Sequence, residues 1–186
     1  MIYMVEMALI DLHRRVEWDE WYLSHMRKLI SIPGIQATQR FESMTPHDSP
    51  FVALHQVTGP EVFTSDAYRA KAGPGGTGEW QTRMNNWHRN VLTGIDHTPD
   101  VPMDGALVVV EDRATVPFQV QWTTPVGLDK TITRRGFVVA NRRDDVSAGA
   151  VSAGAGHSRS GWPVNPTAAS FARASSTWAA SRIPAT

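Results

Sequence analysis

An α+β fold with the element order β-α-β-β-α-β is expected over residues 1–112, and three observations carry it. Residues 2–10 form an apolar run of the right length for a buried strand. Residues 16–30 place their aromatic side chains on one helical face. Two strand-like runs, 35–41 and Phe51–Val57, flank the polar turn at 45–50 in the manner of an antiparallel hairpin.

Taken in order, the first run contains Glu6 and has neither a basic leading segment nor a small-residue cleavage site. A strand is expected there, not a signal peptide. At 100° per residue, Trp18, Trp21, Tyr22, His25 and Leu29 fall within an arc of about 100° on the following helix. Ser31-Ile32-Pro33-Gly34 stops that helix. In 35–41, Ile35, Ala37, Gln39 and Phe41 point one way, and Gln36, Thr38 and Arg40 the other. In Phe51–Val57, Phe51, Ala53, His55 and Val57 share a face. A short helix is expected at 61–71, followed by the glycine-rich break GPGGTG at 73–78. Trp80, Met84, Trp87 and Val91, spaced by four, three and four, predict a third helix over 79–92. Ala106–Glu111 predicts the closing strand.

With an extra helix in its last crossover, this is the ferredoxin-like split βαβ plan. Strands expected at 118–124 and 136–140 begin a partial second repeat within 113–140. From 141 to 186 the chain turns to Ala, Ser, Gly and Arg with hardly any apolar period. Such a segment buries too little surface to offset its ordering entropy, so a disordered tail is expected, with a short helix around 168–180.

The 186 residues suit one domain with an appendage, and 41% hydrophobic content with seven tryptophans can fill a core. Formal charge is zero, which removes the electrostatic case for nucleic acid or an anionic membrane as the main partner. The balance is uneven: −6 through Asp112 and +6 from Arg113 onward. Without cysteine there is no disulfide, thiol nucleophile or zinc-thiolate site. No apolar run approaches the ~18 residues needed to span a bilayer, and a cytoplasmic protein is the expectation.

EWDEWYLSHMRKLISIPGIQATQRF (17–41), SPFVALHQVTGPEVFTSDAYRA (49–70), GEWQTRMNNWHRN (78–90) and VGLDKTITRRGFVV (126–139) together resemble EthD-like proteins of the dimeric α/β-barrel superfamily. Within that group the resemblance is to small bacterial proteins often filed under "sugar ABC transporter" names, and it covers about residues 1–140. The transporter label finds no support in these residues, since 73–78 lacks the Lys-Ser/Thr end of a P-loop. The resemblance implies a homodimer. Its sheet would carry helices on one face and pack the other on a second sheet, from a partner subunit or an internal repeat. Members of the superfamily include cofactor-free oxygenases of aromatic polyketides, polyketide cyclases, muconolactone-type isomerases and haem-binding enzymes, so fold alone does not choose the chemistry.

His25 is the first candidate catalytic group, because an imidazole gives or takes a proton near neutral pH and aromatic neighbours favour its neutral form. The competing reading is a core histidine bonded to a backbone carbonyl. Arg40 and His55 come from adjacent strands. His55 is a second proton carrier or hydrogen-bond donor, and Arg40 a fixed positive charge for a carboxylate or enolate. The register leaves Arg40's face open, and Arg40 paired with Glu42 or Glu17 at a sheet rim is the alternative. Trp18, Trp21 and Tyr22 are binding walls or core, and Trp80 and Trp87 close a pocket or simply pack.

No histidine pair has metal-ligand spacing, so no metal is expected. Haem through a single histidine is the one cofactor left open. The expected function is a cofactor-independent enzyme that moves a proton on a small aromatic or enolisable carbonyl compound, of isomerase, cyclase, decarboxylase, hydrolase or cofactor-free oxygenase type. The alternative is a non-catalytic dimer that binds a small ligand or haem.

Overall fold

The computed structural model describes residues 1–73, 75–111, 119–130, 132–141 and 175–181. Strand β1 (Ile2–Leu9) leads through a 3-10 turn (Leu12–Arg14) into helix α1 (Arg15–Ile30), then β2 (Ile35–Ser43) and β3 (Phe51–Val57). A second 3-10 turn (Pro60–Thr64), helix α2 (Asp66–Ala72) and a third turn (Gly78–Thr82) precede β4 (Met84–Thr93). Strands β5 (Ala106–Glu111), β6 (Gln121–Leu128), β7 (Arg135–Ala140) and β8 (Ser175–Ser181) follow.

Seven strands build a curled antiparallel sheet in the order β2-β3-β1-β4-β6-β7-β5. β8 pairs with both outer strands, β2 and β5, and so closes the sheet into a barrel with this chain's own strands. The order β4-β1-β3-β2 recurs as β8-β5-β7-β6, so the ring consists of two runs of the same strand order. Closure removes the unpaired edges that an open sheet offers to other chains.

Both faces of the first four-strand run are covered, and all seven residues of β3 are buried. Outward on β1, Tyr3, Val5, Met7 and Leu9 pack with Trp18, Tyr22, Met26 and Leu29 of α1. Inward, Ile2 and Met4 pack in the lumen with Phe41, Val52, Leu54, Leu92, Leu107 and Phe137. An ion pair crosses that lumen: Arg135 Nη2 donates to Glu6 Oε1 and Oε2 at 3.0 and 3.2 Å, with both residues buried. It joins β1 to β7, one strand from each four-strand run.

α1 ends where Ser31 Oγ donates to the Lys28 carbonyl at 2.7 Å, and Gly34 turns the chain into β2 at φ +92°. A Cβ at Gly34 would stand 2.5 Å from Val62 Cγ2 in a conformation that L-residues avoid. Gly34→Ala is therefore expected to cost about 1–2 kcal/mol, read as a lower urea midpoint at unchanged slope.

Three expectations change. The helix predicted over 79–92 is a 3-10 turn followed by β4, which pairs with β1 from Ile2↔Leu92 to Leu9↔Met84. The register shifts between Glu6 and Ala8, and Asn86 adopts φ 48°. That shift brings Met84 and Trp87, three residues apart, to the helix-facing cluster and so imitates a helical period. Ala106–Glu111, expected to close the first unit, instead pairs with β7 and β8. Within the expected tail, 175–181 is a strand, which corrects both the disorder and the short helix predicted there. The strand expected at 118–124 is observed as Gln121–Leu128, with residue 118 outside the described residues. The rest of the tail call, 142–174 and 182–186, also lies outside them.

Candidate functional site

Charge pairs fix α1 over the sheet. The Arg15 guanidinium donates to both Glu42 carboxylate oxygens at 2.9 Å and to Asp19 at 2.7 Å, which ties the first turn of α1 to the end of β2. Arg40 of β2 donates to the other Asp19 oxygen at 2.5 Å. With its N-terminal end anchored, α1 lays Trp21, Tyr22, His25 and Leu29 above β1 and β3. Across from them, Ser65 Oγ caps α2 by accepting the Tyr68 N–H at 3.1 Å. That cap explains why the helix expected at 61–71 begins at Asp66, and it sets Tyr68 in the first turn.

Between helices and sheet lies a hollow lined by Tyr3 and Val5 of β1, Trp21, Tyr22, His25 and Leu29 of α1, His55 of β3, Tyr68 of α2 and Trp87 of β4. Its free space holds about one water molecule. Trp21, His25, Tyr68 and Trp87 are only half-buried and form the mouth, while Tyr3, Tyr22 and His55 are buried at the back. The His25 ring stacks on Trp21 at 5.1 Å and 18°, and the His55 ring on Tyr3 at 5.2 Å and 30°.

His55 Nδ1 lies 2.7 Å from Thr38 Oγ1. His25 Nδ1 is buried with no hydrogen-bond partner among the described residues. Burial is the main cause that lowers both imidazoles. His25 falls to about 4, with the Lys28 charge adding to the effect, and His55 to about 3, with His25 adding. Both rings are thus neutral at pH 7. Burial also raises the Tyr3, Tyr22 and Tyr68 phenols, so all three remain protonated. No lining residue carries a charge at neutral pH.

The expected residues separate into two groups. His25, His55, Trp21, Tyr22 and Trp87 meet at the hollow, Trp87 from a strand and not from the expected helix. Trp18, Trp80 and Arg40 do not line it. Trp18 is fully buried, touches the Tyr22 and Phe51 rings, and donates Nε1–H to Met84 Sδ at 3.3 Å. Trp80 is buried under the Arg14 guanidinium, 4.7 Å from its ring. The β2–β3 register sets Arg40 opposite Ala53 and Thr38 opposite His55, so all four share the helix-facing side. Arg40 spends its position on Asp19 and on the faces of Trp18 and Tyr22, at 4.8 and 5.1 Å. Of these rings, Tyr22 also lines the hollow.

Three polar residues of the site escaped the sequence reading: Tyr3, Thr38 and Tyr68. The alternation of 35–41 had put Thr38 and Arg40 on one face, and only the hairpin register was missing to set Thr38 against His55. Among the described residues no three His, Cys, Asp or Glu side chains gather as metal ligands. No family model matches the chain, and no curated protein matches it. Fold and site together describe an α+β barrel protein with a neutral imidazole pair between its helices and its sheet.

Proposed function

We propose that the chain is a cofactor-independent enzyme that binds a small aromatic or enolisable carbonyl compound between α1 and the sheet and moves a proton on it, with His25 as the acid/base. The observation that carries this reading is His25 itself. Its ring is neutral, stacked on an indole at the mouth of a hollow, and one nitrogen has no partner. A buried polar atom left unpaired is costly, and a water or a ligand in the hollow can complete it. Rotation of the half-buried Trp21 and Trp87 rings admits a molecule of one ring, which then stacks between them. The strand order β4-β1-β3-β2, with α1 and α2 as its crossovers, supports a ferredoxin-like unit of the EthD-like kind. Under this reading two copies associate through their outer surfaces, since the barrel itself is complete in one chain.

Proton abstraction is measurable before the reaction is known, as deuterium uptake at the α-carbon of an enolisable aryl ketone such as acetophenone in heavy water. The protein should accelerate uptake, and His25→Ala should lower the acceleration by about 10²-fold or more with the circular dichroism spectrum unchanged. Because the acting base is the neutral ring, the rate should rise through pH 4 and level above about pH 5. Uptake by His25→Ala at the original rate would remove His25 from the chemistry.

A further inference from the structure

We infer that Thr38 is a positioning residue that locks the His55 ring with its proton on Nε2, so that the two imidazoles of the hollow have opposite duties and select a neutral carbonyl compound. The ligand half of this inference rests on the proposed function; the Thr38–His55 half does not.

Thr38 faces His55 across the β2–β3 pairing, with Oγ1 2.7 Å from Nδ1. A neutral imidazole has one donor and one acceptor nitrogen, and a hydroxyl has one proton to give. The Thr38 hydroxyl makes no other hydrogen bond among the described residues. If the ring donated from Nδ1, the hydroxyl proton would be left without a protein acceptor. If the hydroxyl donates to Nδ1, the hydroxyl proton and Nδ1 are both paired, and the ring proton sits on Nε2. Tyr3, stacked on the ring, keeps its plane.

Both rings line one hollow, His55 with its proton on Nε2 and His25 with an unpartnered Nδ1, which is an acceptor when the His25 proton sits on Nε2. The chemistry that fits both is a carbonyl oxygen beside an acidic C–H. His55 Nε2–H donates to the oxygen. His25 Nδ1 takes the proton as the C–H bond breaks; the C–H pair becomes the C=C bond and the carbonyl π pair moves onto the oxygen as an enolate, which the same N–H stabilises. Return of the proton from His25 restores the neutral pair. A carboxylate fits poorly, since none of the lining residues is charged at neutral pH and a buried anion without a counter-charge is penalised. Arg40 does not line the hollow, and its Nη2 is paired with Asp19.

Histidine nitrogen-15 NMR of the ligand-free protein tests the lock, with the His55 signals assigned by their loss in His55→Gln. The expected result is a single Nε2–H tautomer for His55, lost to a mixture in Thr38→Val and retained in Thr38→Ser. A wild-type Nδ1–H tautomer, or a Thr38→Val pattern identical to wild type, overturns the positioning role. Tryptophan fluorescence titrations then compare acetophenone, its methylene isostere α-methylstyrene, and benzoate. Acetophenone should bind about 10-fold tighter than the alkene, with benzoate the weakest, and Thr38→Val should abolish the preference for the ketone. Equal binding of ketone and alkene overturns the donor role of His55. Failure of all three probes with the tautomer lock intact overturns the ligand half and, with it, the proposed function, while Thr38 remains the positioning residue.

Discussion

Acidification from pH 7 to pH 5 is expected to remove about 4 kcal/mol of folding stability, about 2 kcal/mol from each of His25 and His55. In the unfolded chain both rings take a proton near pH 6.5, whereas the folded chain refuses it until about pH 4 for His25 and about pH 3 for His55. Between those values the unfolded state binds more protons, so stability rises with pH and is full above about 6.5. It is lost as pH falls through 6.5 toward 4. The measurement is the urea midpoint across that range. His55→Gln, which keeps a polar group opposite Thr38 and cannot titrate there, should remove about half of the pH dependence. A midpoint flat between pH 7 and 5 would mean that the rings are hydrated and the hollow is open to bulk water.

Trp18→Ala is expected to cost about 3–5 kcal/mol, and Trp21→Ala about 1–2 kcal/mol, although the two sit three residues apart on one helix face. Trp18 is fully buried among Tyr22, Phe51 and the Arg40 guanidinium, and its indole N–H is engaged by Met84. Its removal leaves a cavity and strips the cover from the buried Arg40. Trp21 is half-buried at the mouth, so water replaces much of what its removal takes away. Urea unfolding of the two variants at pH 7.5 separates core from wall. Equal losses would show that Trp21 is core as well, and that the mouth of the hollow is not free to open.

Much of the helix face was legible, because α1 reads as a single amphipathic unit whose period depends only on local spacing. Residues 16–30 were expected and Arg15–Ile30 is observed. The face of His55 followed from strand alternation alone. Arg40's partner did not. Glu42 or Glu17 were the near choices in sequence, but α1 crosses β2 so that Asp19 reaches Arg40, while Arg15 takes Glu42. Helix crossing is set by packing, and no local pattern encodes it. Tyr3 was hidden inside an apolar run, and Tyr68 in a short polar helix. Each reaches the hollow only through pairings that are long-range in the chain. The β4 segment misled for a sharper reason: one register shift in a strand produces the three- and four-residue spacing of a helix, and spacing alone cannot tell the two apart.

The last stave of the ring comes from residues 175–181, more than 130 positions after β2, since β8 slots between β2 and β5. A ribosome must therefore have passed residue 181 before the ring can shut, and until then β2 and β5 each keep one bare margin on the nascent molecule. Long-range closure of this kind slows folding and lengthens exposure to neighbouring chains. Yield on expression should accordingly hinge on residues 175–181, far from the imidazoles in sequence.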